Sequence, residues 1–469
     1  MLQPTRVLLL GTVVGLGLGL AGLGCSAQSS GQQGGNAGHG GGNIGGGGQG
    51  GSLIGGSGGG FGGGIGGNGP CQGLECQQVT CDPGKSTKLT GIVHAPTPPA
   101  YGQADPLYNV IVYIPNGSVD PLPDGAACDK CGAPVSGSPL VATLTNSKGE
   151  FVLDNAPAGK NIPLVIQIGK WRRQVVVPDV PACADTALPD DLTRLPRNKQ
   201  EGDIPRIAIA SSPYDAEECI LRTIGIDDSE FTGAGGAGRV HIFAGNGATV
   251  AGGTQPMSLL WSSLDTLMQY DMTLFPCSSV ASGDATAMKN VFDYANAGGR
   301  VFATDLSYPW IENAPDPFPG TSQWIPWTGI GADPLPSFVD QTFPKGQALA
   351  EWLQYIGATD VLGSIPLHET YHCVDGVNAP TLRWLYSTSP ASVQTLSFNT
   401  PVGVAPENQC GRAVYSNFHI ANGYTDLGTI YPNECNMLPL TPQERVLEFL
   451  LFDLASCVQD DQDDPIPPK

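Results

Sequence analysis

The chain has 469 residues, long enough for two or three domains and a sizeable core. Its 43 acidic against 22 basic side chains give a formal net charge of −21. Binding phosphates needs clustered Lys and Arg, so this balance argues against a nucleic-acid partner and leaves the acidity as a source of solubility.

Arg6 gives the N-terminus a small positive region, and Val7 to Leu23 is apolar but broken by glycines. A segment this short, ending in small residues, predicts a cleaved signal peptide over residues 1–24 rather than a membrane span. Gly22-Leu23-Gly24-Cys25 resembles a bacterial lipobox, with Gly22 where that pattern commonly carries Leu. The resemblance implies lipid attachment at Cys25, a membrane contact through that anchor, and sorting by Ser26 to the outer membrane, facing periplasm or cell surface. A small-x-small cut implies plain secretion instead. Setting Cys25 aside from the 13 cysteines leaves an even 12, which suits disulfides in an oxidising compartment. These candidates are Cys71, Cys76, Cys81, Cys128, Cys131, Cys183, Cys219, Cys277, Cys373, Cys410, Cys435 and Cys457.

Residues 25–69 follow as a tether. From 27 onward they are more than half glycine and carry no charge, so no core can form there. A glycine-rich coil of this length has a root-mean-square span of about 35 Å. Residues 70–85 are cysteine-rich: Cys71, Cys76 and Cys81 stand at x4 spacing, read as a small disulfide knot rather than a zinc site, whose pairs are more often x2. Cys128 and Cys131 in CDKC do have x2 spacing, but in a Pro/Gly/Asp loop, not the strand-to-helix junction of a redox motif.

Residues 86–180 read as all-β. LTGIVHAP (89–96), LYNVIVYIP (107–115), LVATLTNS (140–147), EFVLDN (150–155) and IPLVIQIGKW (162–171) are short β-branched runs separated by turn residues. Close spacing of strands predicts a sandwich. The stretch VATLTNSKGEFVLDNAPAG (141–159) resembles the carboxypeptidase regulatory-like domain, through Thr145, Gly149, Phe151, Pro157 and Gly159. That resemblance implies a transthyretin-like β-sandwich, grouped with carbohydrate-binding-like folds. Tyr101, Tyr108 and Trp171 are the aromatic candidates for contacting a sugar.

Residues 204–457 change pattern. Strands at 204–212, 239–245, 270–277 and 300–305 alternate with helical spacing at 215–226, 258–269 and 285–297, which predicts a parallel sheet in an α/β doubly wound, flavodoxin- or amidotransferase-like domain. Late strands fall at 393–399 and 411–420, and a terminal amphipathic helix at 442–456. YDMTLFPC followed by VFDYANAGGRVF is similar to the class I glutamine amidotransferase-like folds, in particular the ThuA-like branch. WIENAPDPFPGTSQWIPWTGIGADPLP (310–336) has no regular period and reads as a long loop. Residues 458–469 read as an acidic, disordered tail.

Three motifs carry possible chemistry. GAGGAG (233–238) matches a dinucleotide fingerprint but precedes its strand instead of following it, so it reads as a glycine-rich loop. Cys277 ends a predicted strand, where α/β sheets place ligands, yet FPCSS lacks the glycines of a nucleophile elbow and His419 in FHIAN lacks the partner Glu of an amidotransferase dyad. LHETYHC contains His-Glu-x-x-His. On a helix His368 and His372 would grip one zinc ion with Glu369 as general base, but Pro366 before it, Gly376 after it and β-prone Tyr371 predict strand or turn, and no third ligand is marked. Cys373 is expected to form a disulfide, with Cys410 as partner.

The expectation is therefore an exported, lipid-anchored, multidomain envelope protein. It is non-catalytic, without a cofactor, and binds a glycan or another envelope component. The alternatives are a hydrolase, using zinc at His368 and His372 or using Cys277, and a structural spacer.

Overall fold

Between residues 88 and 187 the β-branched runs become strands: β1 (Lys88–Ile92), β2 (Ile111–Pro115), β3 (Pro139–Leu144), β4 (Glu150–Leu153), β5 (Gly159–Ile168), β6 (Trp171–Val180) and β7 (Asp185–Ala187). They build two sheets, ordered β4-β1-β7 and β3-β2-β5-β6. Alternation sorts their side chains: Phe151 and Leu153 of β4 are buried while Glu150 and Val152 face solvent. Leu89, Phe151 and Leu153 of the first sheet join Val112, Ile114, Leu164 and Ile166 of the second in one apolar cluster. The turn before β4 depends on Gly149, whose φ is 72° and where a Cβ would stand 2.8 Å from the Val93 carbonyl oxygen. This computed structural model describes residues 71–245, 247–420 and 428–468; the signal segment, Cys25 and the glycine-rich tether lie outside the described residues.

The second half carries β8 (Ile207–Ala210), β9 (Phe231–Thr232), β10 (Val240–Ala244), β11 (Gln255–Pro256), β12 (Met272–Phe275) and β13 (Arg300–Thr304). β14 (Ser322–Gly329), β15 (Leu335–Val339), β16 (Ser364–Leu367), β17 (Tyr371–Val377), β18 (Leu382–Thr388), β19 (Ala391–Thr400) and β20 (Gly411–Ser416) complete it. The main sheet runs β11-β10-β8-β12-β13-β20-β19-β18-β15-β16, with β9 against β10. Its β11 to β20 section is parallel, and β19, β18, β15 and β16 extend it antiparallel.

Burial on both faces explains why β8 reads as an unbroken apolar run and why β12 and β13 are apolar apart from Thr273, Arg300 and Thr304. Ile207, Ile209, Met272, Leu274 and Phe302 enter the same cluster as the first two sheets, together with Ile220 and Leu221 of the helix Glu217–Ile224. Ala208, Ala210, Phe275, Val301 and Ala303 face a second cluster with Met288 and Val291 of the helix Ala285–Asn296. Asp284 caps that helix by accepting from Thr286 N and Ala287 N. The terminal helix Pro442–Ala455 starts with a capping box between Thr441 and Glu444. It links the two halves: Phe449 stacks on Tyr108 and Phe452 packs on Trp171. The sheets of 88–187 therefore share a continuous apolar core with the rest, and the whole is a sheet-rich protein of mixed sheets with a few helices.

Two regions differ from the sequence reading. Residues 310–336 are not a plain loop: β14 arises there and pairs antiparallel with β17 as a two-stranded ribbon. The tail is not solvated throughout: Val458, Gln459 and Asp461 are buried, while 462–464 are exposed. Asp461 is 5% exposed, accepts from Arg412 and lies 2.7 Å from Lys345 Nζ, because these buried cations need carboxylate partners.

Five disulfides are present among the described residues: Cys71–Cys76, Cys81–Cys183, Cys128–Cys410, Cys131–Cys457 and Cys219–Cys435. They are the mark of an exported chain. The expected knot at 71–81 is only partly local, since Cys81 crosses to Cys183. Both cysteines of CDKC are locked to distant partners, so no redox pair exists there. The expected Cys373–Cys410 bond is replaced by Cys128–Cys410, and Cys277 and Cys373 are buried free thiols. Among the described residues no helix is long and apolar enough to cross a membrane.

On β10, His241 is buried between the Tyr270 hydroxyl at 2.8 Å and the Gly238 carbonyl oxygen at 3.2 Å. Burial first, then the Arg206 charge, push its pKa from 6.5 down to about 4. The folded state thus holds it neutral, so stability present above pH 6.5 is lost as pH falls towards 4. At 1.36 kcal/mol per pH unit, the loss is capped at about 3 kcal/mol. Denaturant midpoints measured between pH 7 and 4 are expected to fall less steeply in His241→Gln than in the unaltered chain.

Candidate functional site

The carboxyl ends of adjacent parallel strands are where open α/β sheets gather ligands. Four such ends meet here. Asp215 follows β8, Cys277 follows β12, Asp305 follows β13, and His419 follows β20. Asp215 ties them together: its carboxylate accepts from Cys277 N at 3.4 Å, Thr304 Oγ1 at 2.5 Å and Ile420 N at 3.2 Å. Ser212 Oγ, beyond β8, donates to the Cys277 carbonyl oxygen at 2.5 Å. The backbone turns sharply at two of these ends, with φ of 68° at Ser278 and 44° at Asp305, a conformation non-glycine residues seldom hold.

These turns aim three side chains at one point. Cys277 Sγ donates to Asp305 Oδ2 at 3.1 Å, and His419 Nε2 lies 3.7 Å from the same oxygen. His419 Nδ1 lies 2.9 Å from the Ile420 carbonyl oxygen, so that nitrogen carries the proton and Nε2 faces the carboxylate. Cys277, Asp305 and His419 are 3%, 1% and 3% exposed. Burial pushes the Asp305 carboxyl up to about 6, against the opposing pull of the His419 charge and the Cys277 hydrogen bond. Burial, reinforced by the neighbouring Asp305 charge, holds the Cys277 thiol far above its usual range. Burial opposes a charged His419, but Asp215, the Ile420 carbonyl and Asp305 together outweigh it and raise its pKa. A thiolate is the nucleophile in cysteine catalysis, and a carboxylate at hydrogen-bond distance disfavours it. The arrangement holds a protonated thiol.

The His-Glu-x-x-His stretch does not form the helix that a zinc protease needs. β16 ends at Leu367 and β17 starts at Tyr371, with Glu369 between them at φ 51°. β16 belongs to the main sheet and β17 to the ribbon, so the two histidines leave on different sheets. His368 Nδ1 lies 2.7 Å from Asp333, and His372 Nε2 lies 2.7 Å from Asp375. Gln443 of the terminal helix fixes the kink, accepting from His368 N at 2.8 Å and donating to the His419 carbonyl oxygen at 2.7 Å. That bridge brings the kink beside His419, and one Glu369 carboxylate oxygen is buried there without a hydrogen-bond partner.

The ribbon extends the site towards solvent. Trp324 of β14 stacks on Tyr308 and meets Tyr415, whose hydroxyl donates to the Asp305 carbonyl oxygen at 2.9 Å. Further along, Trp327 is 50% exposed and meets Tyr371 edge-on, with ring centroids 5.5 Å apart. Thr328, next to Trp327, pairs with His372 across the ribbon, so alternation puts the indole with Tyr371 on one face and His372 on the other. The aromatic candidates read from sequence do not serve this way: Tyr101 and Trp171 are buried, and Tyr108 is stacked on Phe449.

Sequence reasoning named Cys277, His419 and Glu369 but missed Asp215, Asp305 and the Trp327 ribbon. Asp305 had a visible signal, since it is the last residue of a run read as a strand. Trp327 had none, because a ribbon between two kinks leaves no period.

No family model matches the chain, and no curated protein matches it. Among solved structures, a ThuA-like protein from Bacteroides uniformis aligns with 48% of this chain and 83% of its own, at 12% identity and a TM-score of 0.27. A type II cohesin–X-dockerin complex from Acetivibrio cellulolyticus aligns over 30% of this chain and 85% of its own, at 13% identity and a TM-score of 0.17. A 9R-lipoxygenase from Cyanothece covers 24% of this chain and 18% of its own, at 13% identity and a TM-score of 0.12. At these scores the alignments bear on neither activity nor ligand.

Proposed function

We propose that the protein is an envelope component, lipid-anchored at Cys25 to the outer membrane, that binds a glycan without catalysing a reaction on it. In this reading the sheets of 86–180 form a transthyretin-like sandwich and residues 204–457 a doubly wound domain. The sandwich supports the binding domain through the shared core and is more than a spacer. The observation that carries the binding is Trp327: a half-exposed indole, braced edge-on by Tyr371. A pyranose ring offers an apolar face to stack on an indole and hydroxyls for flanking polar groups. The five disulfides support export, where an envelope glycan would be met. Catalysis through Cys277 is not part of this reading, because the thiol donates to Asp305 and stays protonated.

A glycan array probed with the detergent-solubilised full chain is expected to show binding to envelope saccharides. Trp327→Ala is expected to weaken it at least tenfold, about 1.4 kcal/mol, since a central aromatic anchor carries much of such a contact. Equal binding by the variant, or no binding by either chain, would sink the proposal.

A further inference from the structure

Beyond glycan binding, and independent of it, we propose that Cys277, Asp305 and His419 form a zinc site. One donor atom from each residue lies within 4.8 Å of the others. In a tetrahedral zinc site with Zn–S of about 2.3 Å and Zn–N or Zn–O of about 2.0–2.1 Å, neighbouring donors stand roughly 3.3–3.6 Å apart. The observed separations of 3.1 Å for sulfur to oxygen and 3.7 Å for nitrogen to oxygen bracket that range. The donor set is the borderline-soft one zinc favours: thiolate, imidazole and carboxylate.

The surroundings match what holds metal ligands. His419 commits Nδ1 to the Ile420 carbonyl, which fixes the ring and leaves Nε2 as the donor, as metal-bound histidines commonly do. Asp215 and Ser212 hold the backbone of Cys277, and Tyr415 holds that of Asp305. A second observation, independent of the donor distances, points to an occupant. Asp305 Oδ1 is sealed from solvent without a hydrogen-bond partner, at a residue 1% exposed. Glu369 Oε2 is likewise buried without a partner, and its charge acts on His419. A cation held by both oxygens of Asp305 would satisfy Oδ1; Glu369 is not among the donors that lie within 4.8 Å of one another, so three side chains hold the ion and the fourth position is open to water. On binding, the Cys277 thiol gives up its proton to solvent and the sulfur ligates as thiolate. Among the described residues the other grouping of this kind, Cys219, Glu434 and Cys435, is closed as a Cys219–Cys435 disulfide.

The test is elemental analysis of the full chain, exported into an oxidising compartment, stripped with chelator and restored with zinc chloride. About one zinc per chain is expected. It should be lost in Cys277→Ala and His419→Gln and kept in His368→Ala. Cobalt substitution of the unaltered chain gives a readout that needs no variant to fold. A thiolate-to-cobalt charge-transfer band is expected, and Cys373→Ala, which removes the other buried free thiol, should keep it. No stoichiometric zinc, no such band, a band lost in folded Cys373→Ala, or zinc retained by folded Cys277→Ala would each overturn the proposal.

Discussion

Arg412→Ala is expected to cost at least about 3–5 kcal/mol, enough to unfold many domains at ambient temperature. Arg412 is 1% exposed on β20, at the heart of a buried charge cluster. Its guanidinium donates to Asp453 at 2.7 Å, to both oxygens of Asp461 at 2.7 and 2.9 Å, and to Asn399 Oδ1 at 2.9 Å. Lys345 Nζ stands 2.7 Å from each of the two carboxylates. Two cations thus balance two anions out of water. Burial alone would raise the Asp461 pKa, but Arg412 and Lys345 overcome it and hold the carboxyl below its usual value. Deleting Arg412 leaves one excess negative charge in the interior, which is the costly change; the intact cluster need not add much net stability. Arg412→Lys keeps the charge but not the forked geometry and should lose less. Urea unfolding of the three proteins checks the order. Arg412→Ala within about 1 kcal/mol of the unaltered chain would show that the cluster is hydrated.

The second large effect concerns Cys128–Cys410 and Cys131–Cys457, which close loops of 282 and 326 residues. Chain-entropy reasoning assigns each long loop about 2–4 kcal/mol, by restricting the unfolded chain. The two bonds start three residues apart and end on either side of the terminal helix. With one intact, the other still closes the segment 410–457, so removing either alone should register. Removing both should free this end of the chain, and the loss should approach the sum. Cys128→Ser, Cys131→Ser and the double variant, compared by thermal unfolding under oxidising conditions, test this. A double variant no less stable than either single one would contradict it.

Much of the fold is legible in the residues. The runs 207–210, 272–275 and 301–303 are apolar apart from Thr273 because they sit in the middle of a covered sheet, and the sequence pattern says so. In 150–153 the structure alternates buried and exposed residues, though the sequence EFVL shows only an apolar run after Glu150. The helix Pro344–Tyr355 escaped notice because its buried set includes Lys345 and Gly346, neither of which an apolar period can count. Lys345 is inside only because Asp453 and Asp461, remote in sequence, neutralise it. The acidic tail misled for the same reason: Asp461 looks solvated until Arg412 is seen beneath it.

The candidate site was half visible. Pro366, Tyr371 and Gly376 correctly argued against a helix at 367–373. Disulfide pairing could not be read, because Cys373 and Cys410 are near in sequence while the fold carries Cys128 to Cys410 instead. The meeting of Cys277, Asp305 and His419 is a product of strand order. β12, β13 and β20 are neighbours although more than a hundred residues separate the last two, and no local pattern encodes that adjacency.

The central claim is that the protein binds a glycan at the Trp327 ribbon. Its most direct test is a tryptophan-fluorescence titration of the detergent-solubilised full chain with the envelope saccharide that the array ranks highest. A saturable change that disappears in Trp327→Ala and persists in Cys277→Ser is the result this structure leads us to expect. A signal that survives Trp327→Ala unchanged, or no saturable signal with any envelope saccharide, would contradict it.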